Sequence, residues 1–279
     1  MKPNVFRRLL AEGKIPIGHM VFEFGTRGMP KILEAAEVDF VVVDTEHSGF
    51  DTGDLADMMA WFKATPIAPF VRIPKIDHHY VARTLDLGAM GIMAPNVESA
   101  DEARAVVDAA KYAPLGKRGV MIGGAHTDFQ SVGLREFLDY SNENTTIICQ
   151  IESQRGLDRL EDIATTPGVD VLWVGHFDLT LSMGMPGQFH HDRFLEALKL
   201  VVDTARKHSL AAGIQPRDQE QAREWMKMGF NVISCGGDAS VYGGALAHYV
   251  AGVRESASDE EVFRGFGSSG GRGAEQHLR

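Results

Sequence analysis

Several short apolar stretches of this chain end in side chains that could do chemistry together. These ends read Asp44-Thr45-Glu46-His47, Arg72, Pro95-Asn96, Gln150-Ile151-Glu152, Gly175-His176-Phe177-Asp178 and Gln215-Pro216. Glu152 and Asp178 are two carboxylates with no cysteine beside them and no close histidine pair. Such a donor set suits a hard divalent cation, Mg²⁺ or Mn²⁺, that keeps positions for water and substrate oxygens. The competing reading is that each carboxylate caps the helix after it, as Asp178 could in its D-L-T-L-S run. Asp44 and His47 stand three residues apart. The backbone must turn by His47 for them to meet; if they meet, Asp44 would orient the imidazole and raise its basicity, as a general base requires. A histidine on an exposed loop is the alternative, and the pairs His78-His79 and His190-His191 read that way. Arg72 closes the apolar run Ala68-Pro69-Phe70-Val71 and needs an anion, either a substrate or a neighbour such as Glu46. No lysine ends any of these runs, which argues against Schiff-base chemistry.

Residues scattered over more than a hundred positions meet only if the fold gathers the strand ends. Eight apolar or β-branched runs recur: 15–21, 40–44, 67–73, 91–95, 146–151, 169–174, 210–214 and 231–235. Segments of helical period separate and follow them, at 29–37, 53–64, 77–87, 98–111, 155–165, 191–208, 217–228 and 239–255. In the fourth helix Ala103, Val106, Val107 and Ala110 form one stripe, opposite Asp101, Glu102, Arg104 and Asp108. Runs such as Val41-Val42-Val43 are apolar on both faces, as in a parallel sheet covered by helices outside and a core inside. Eight strands each followed by a helix predict an α/β fold, a closed (β/α)₈ barrel whose chemistry lies at the carboxyl ends of the strands. An open doubly wound sheet is the competitor, but Gly25-Thr26-Arg27-Gly28 is not its glycine fingerprint. Residues 112–145, with Pro114, Gly116, Gly119, Gly123 and Gly124, exceed an ordinary connection and read as a structured active-site loop. The barrel is expected over 1–257 as a single domain, with 258–279 a disordered tail.

Composition narrows the function. Of 279 residues 44% are hydrophobic and 24% charged, which fits a globular chain. There are 38 acidic against 28 basic residues, a net charge of -10, and no basic stripe, so a nucleic-acid partner is not expected. No apolar run reaches the roughly 18 residues of a membrane helix, and the amino terminus lacks a secretory signal. Cys149 and Cys235 cannot form a disulfide framework. A cytoplasmic location follows as the expectation.

The spaced motifs resemble the HpcH/HpaI aldolase family, the metal-dependent class II pyruvate aldolases. They are DFVVVDTEHSGFD (39–51), PFVRIP (69–74), LDLGAMGIMAPNVESADEARAVVDAAKYAPLGKRGV (85–120), QIESQRGLDRLEDIATTPGVDVLWVG (150–175) and DLTLSMGMPGQ (178–188). The similarity runs from about residue 5 to 255. The resemblance implies a barrel of the pyruvate/phosphoenolpyruvate type that cleaves a 4-hydroxy-2-oxo acid reversibly to a 2-oxo acid, pyruvate or a close analogue, and an aldehyde. It implies Glu152 and Asp178 as metal ligands (Mg²⁺ or Mn²⁺, with Co²⁺ an option), and His47 with Asp44 as the catalytic pair. It implies Arg72 on the keto oxygen of pyruvate, Gln150 near the bound substrate, and the amides of Phe177 and Asp178 on the carboxylate. It also implies a hexamer, a trimer of dimers with the last helix exchanged, for which Val241, Ala245, Leu246, Tyr249 and Val250 offer an apolar face. Two departures bear on the pocket wall. Relatives commonly read G-P-A-D-L where this chain has Gly175-His176-Phe177-Asp178-Leu179, and carry a small apolar residue after strand seven where this chain reads Ala212-Gly213-Ile214-Gln215-Pro216. Oxaloacetate decarboxylation, cleavage of a CoA-linked acid, or silent binding of a keto acid remain alternatives within this resemblance.

Overall fold

The computed structural model describes residues 2–258. Eight parallel strands form a closed barrel in chain order, so the open-sheet alternative falls. They are β1 (Ile17–Val21), β2 (Phe40–Asp44), β3 (Ala68–Arg72), β4 (Gly91–Ala94), β5 (Thr146–Ile151), β6 (Val171–Val174), β7 (Ala211–Ile214) and β8 (Val232–Gly237). β8 pairs back onto β1 with a register shift between Gly18 and Met20. The first helices are α1 (Val5–Ala11), α2 (Met29–Ala35), α3 (Thr52–Phe62), α4 (His78–Asp86), α5 (Ala100–Ala110) and α6 (Leu134–Asn144). They continue with α7 (Gln154–Asp158), α8 (Leu160–Ala164), α9 (His176–Ser182), α10 (Asp192–Lys207), α11 (Gln219–Met228) and α12 (Asp238–Ser258). The helix expected over 155–165 is broken at Arg159, while α1, α6 and α9 are additional to the eight read from the periodicity. The paired histidines are helix starts: His78-His79 open α4 behind the cap Asp77, and the His191 ring caps α10.

Strand alternation sorts the side chains into two cores. Phe40, Val42, Ala68, Phe70, Met93, Ile148, Val171 and Trp173 fill the barrel interior. Val41, Val43, Val71, Ile92, Ile147 and Leu172 face outward to the helices. Large inward rings are accommodated by glycines on neighbouring strands: a Cβ on Gly213 would lie 2.3 Å from the Trp173 ring. At the amino ends α1 closes the barrel. Phe6 packs edge-on against Phe40 and Phe70, with ring centroids 5.2 and 5.0 Å apart. The Asn4 side chain donates to Asn144 O at 2.7 Å, and Arg7 pairs with Asp170 at 2.7 Å.

Residues 112–145 were expected to form an active-site loop, and the structure corrects this. Lys111 donates to the carbonyls of Asn142 and Thr145, Tyr112 exchanges bonds with the Asn142 amide, and Tyr140 donates to Lys2 O. Lys63 and Asp86, at the carboxyl ends of α3 and α4, meet Ala125 and Arg118. Helices in this fold run against their strands, so their carboxyl ends lie at the amino ends of the strands, opposite the expected rim.

The chain divides into two compact units, the first Met1–Asp238 with the whole barrel. The described part of the second is the remainder of α12, where Val241, Leu246 and Tyr249 are exposed. Apart from Ser258, which ends α12, the expected tail lies outside the described residues. Among the described residues no helix is long and apolar enough to cross a membrane.

Candidate active site

The inward parity of the core residues continues to the carboxyl rim and there changes from apolar to polar. Phe40 and Val42 lead to Asp44 on β2, Ala68 and Phe70 to Arg72 on β3, and Ile148 to Gln150 and then Glu152 on and beyond β5. All four polar residues are buried. Asp44 and Arg72 are register partners on adjacent strands, and the Arg72 Nε donates to Asp44 Oδ1 at 2.6 Å. The other arm of the fork, Nη1, lies 3.3 Å from Glu46 Oε2. Phe22, just past β1, lies 5.9 Å from the guanidinium carbon. The positive charge is thus fixed between two carboxylates and an aromatic face.

Asp44 does not hold the imidazole. Its carboxylate accepts the main-chain amides of His47 at 2.9 Å and Glu46 at 3.1 Å, because the chain turns immediately after the strand. The turn is locked by Ser48, whose hydroxyl donates to Asp44 O at 2.5 Å. His47 is exposed, and its Nε2 lies 3.6 Å from Glu46 Oε2. Glu46, read from sequence only as a salt-bridge partner, therefore stands between Arg72 and His47. Burial raises its carboxyl pKa, Arg72 and His47 counter that, and Asp44 and Asp178 add to it.

Glu152 is buried and held through both of its carboxylate oxygens. One oxygen accepts the Asn96 main-chain amide at 2.7 Å, and the other accepts the Gln150 side-chain amide. Asn96, two residues past β4, adopts a left-handed conformation (φ 48°) in the turn whose N–H meets the acid. The Gln150 carbonyl oxygen is buried and has no partner. Burial pushes the Glu152 pKa up to about 7; the Asn96 amide and Arg72 oppose this, while Glu46 and Asp178 reinforce it. Gly175 admits this arrangement. A Cβ there would stand 2.2 Å from Glu152 Oε2, 2.7 Å from Glu152 Cβ and 2.8 Å from Gln150 Nε2.

Asp178 is exposed on the first turn of α9, inside the helix rather than at its cap position, Gly175. Among the described residues no three acidic, histidine or cysteine side chains already converge to hold a metal. Two carboxylates beside an unpartnered carbonyl oxygen, in a cluster with one guanidinium to balance the four acids Asp44, Glu46, Glu152 and Asp178, nevertheless fit a hard divalent cation. Mg²⁺ in particular is commonly held by one or two carboxylates with water completing the shell. Phe177 is exposed, whereas His176 is buried against Phe177, Phe189 and Trp225, with ring centroids 4.5, 5.1 and 5.6 Å away. Burial lowers the His176 pKa to about 4, so its ring is neutral packing. Gln215 is half-buried and accepts from Ser234 at 3.2 Å, linking the end of β7 to the middle of β8.

Asp238 escaped the sequence reading. It is buried at the end of β8, and its carboxylate accepts three successive amides, Phe22 at 3.1 Å, Glu23 at 3.0 Å and Phe24 at 2.7 Å. It fixes the loop that carries Phe22 to Arg72. The available signal was position: an acid directly after the eighth strand, where the rim series had been followed only to the seventh.

The profile of the HpcH/HpaI aldolase/citrate lyase family matches residues 20–244. The chain is 32% identical over 240 residues to a 5-keto-4-deoxy-D-glucarate aldolase of Klebsiella pneumoniae, covering 86% of this chain and 93% of that one. Among solved structures, an HpcH/HpaI aldolase of Desulfitobacterium hafniense superposes with a TM-score of 0.85 at 29% identity, covering 92% and 98% of the two chains. An HpcH/HpaI aldolase/citrate lyase family protein of Burkholderia cenocepacia gives 0.83 at 31% identity, covering 90% and 100%.

Proposed function

The chain belongs to the HpcH/HpaI aldolase/citrate lyase family, a family of lyases, and from that premise we propose its reaction. It cleaves a 4-hydroxy-2-oxo acid reversibly into pyruvate, or a close 2-oxo acid, and an aldehyde. The observation that carries this reading is the buried Glu152, gripped by Asn96 and Gln150 beside the Arg72 guanidinium. Glu152 and Asp178 would hold the divalent ion, Mg²⁺, Mn²⁺ or Co²⁺. When bound, it supplies a Lewis acid that withdraws charge from the 2-oxo acid.

The chain's own residues do the rest. Arg72 is preorganised by Asp44 and Glu46, and it stabilises the negative charge that develops on the keto oxygen as the carbon–carbon bond breaks. His47 takes the proton from the C4 hydroxyl in cleavage and returns it in condensation, with the Glu46 carboxylate beside it. The amides of Phe177 and Asp178, on the first turn of α9, receive the substrate carboxylate. Gln150 and Gln215 line the approach. The exposed Phe177 narrows the wall around the 2-oxo acid. The named substrate of the Klebsiella relative, 5-keto-4-deoxy-D-glucarate, is a suitable first compound to assay. The reading keeps two further expectations, a cytoplasmic location and a hexamer built as a trimer of dimers; light scattering tests the second.

Deuterium exchange at the methyl group of pyruvate, followed by NMR with Mn²⁺ added, tests the enolising half-reaction. Wild type is expected to exchange and Glu152→Ala to be silent. Full exchange by Glu152→Ala sinks the proposal. Parallel assays with oxaloacetate and a malyl thioester identify a different bond broken by the same enolate.

A further inference from the structure

The amino end of the barrel holds a second cleft of about 380 Å³, bounded by the ends of α3 and α4, the starts of β3 and β4, and residues 118–145. Small-molecule sites span roughly 300 to 1,000 Å³. One wall is apolar, formed by Met59, Leu85, Met90 and Phe137. The other carries Lys2, Lys63 and Arg118. The Lys2 ammonium donates to Phe62 O at 2.8 Å and to Ile67 O, and that of Lys63 to Asp128 Oδ1 at 2.5 Å and to Ala125 O. An ammonium has three hydrogens, so each lysine keeps one donor.

Arg118 is buried, stacks 4.8 Å from the centre of the Tyr112 ring, and pairs through Nη2 with Asp86 at 2.5 Å; its Nε has no partner. A buried guanidinium N–H left unpaired is a desolvated donor that a ligand acceptor would satisfy. His126 offers nothing more, since its ring nitrogens face Asp86 O and Met121 O. Lys2, Lys63 and Arg118 face Asp86 and Asp128, and Glu34, which also acts on Lys2, is itself paired with Lys31, so the cleft keeps one positive charge in excess.

From this geometry we propose that the cleft is a second ligand site, remote from the rim, that takes a small organic monocarboxylate with an apolar body. A carboxylate accepts about four hydrogen bonds, enough for the three spare N–H groups, and its single charge matches the excess. The apolar body covers Met59, Leu85, Met90 and Phe137. A phosphate dianion would exceed the local charge and leave that wall wet.

Isothermal titration of the full chain with 3-phenylpropanoate tests this, alongside 3-phenylpropanamide and inorganic phosphate. Saturable binding of the acid is expected in wild type and equally in Glu152→Gln, with the amide at least about tenfold weaker, or about 1.4 kcal/mol. Ser141→Trp fills the cleft from α6 and should abolish binding at an unchanged melting temperature. Arg118→Gln should weaken it at least tenfold, and Ser141→Trp keeps the test valid if that variant does not fold. No saturable binding at millimolar acid, equal binding of the amide, preference for phosphate, or loss in Glu152→Gln with retention in Ser141→Trp each overturns the proposal.

Discussion

Replacing Gly175 by alanine adds one carbon at the point where β6 hands over to α9, and the structure fixes what that carbon meets. The backbone at Gly175 has φ -85° and ψ 81°, on the negative-φ side that L-residues use, so the effect is steric. The new Cβ lies 2.2 Å from a Glu152 carboxylate oxygen, whereas ordinary contact begins at 3.4 Å, so the oxygen must retreat by about 1 Å. Rotation of the carboxylate alone does not relieve the strain, because Glu152 Cβ is also only 2.7 Å away. The movement pulls the carboxylate from the Asn96 amide and from its place beside Arg72. A displacement of about 1 Å in a catalytic group costs on the order of a hundredfold in rate, or about 3 kcal/mol of transition-state stabilisation. Overpacking adds about 1–3 kcal/mol of lost stability. The assay is kcat/KM for cleavage of a 4-hydroxy-2-oxo acid, together with urea unfolding of Gly175→Ala, Glu152→Ala and the double variant. In the Glu152→Ala background the same substitution should cost less stability, because its main clash is gone. Gly175→Ala with wild-type activity and unchanged unfolding would refute the close approach.

Arg72→Lys replaces a fork that reaches two carboxylates with a single point charge, so kcat/KM should fall about a hundredfold even where the variant folds. Asp238→Ala leaves three amides without their acceptor and should cost at least about 3 kcal/mol, with faster hydrogen exchange at Phe22, Glu23 and Phe24. Lys111 is buried, and burial lowers its pKa from 10.5 to about 8. Above that folded value the unfolded chain binds more protons, so stability rises with pH from about 8 to about 10. Lys2 is shifted in the same direction, so urea titrations at both ends of that window should show a shallower rise in Lys111→Met, not a flat one.

Period-two alternation made the rim legible from sequence. Once 40–44, 68–72 and 146–151 are strands, Asp44, Arg72 and Gln150 share the inward face with Phe40, Phe70 and Ile148. Alternation ends where the strand ends, and there the reading failed. Asp44 meets the amides of the turn that follows it, and the turn leaves the His47 ring beside Glu46. The destination of residues 112–145 was equally hidden. It is set by Lys111 and Tyr112 reaching residues some 30 positions away and by Tyr140 reaching Lys2, contacts without a local pattern. Asp238 acts on amides more than 200 residues earlier in the chain.

The closure of the barrel floor by the amino terminus also orders events during synthesis. Asn4 and Arg7 are made well before their partners Asn144 and Asp170, which lie 140 and 163 positions later. Until the ribosome has delivered β6 the Phe6 plug has only part of its seat, the rings on β2 and β3, and the early strands expose unpaired edges. Helix α1 therefore emerges well before its seat is complete. A nascent chain stalled before Asp170 should remain open to protease at α1, and one stalled well beyond it should not.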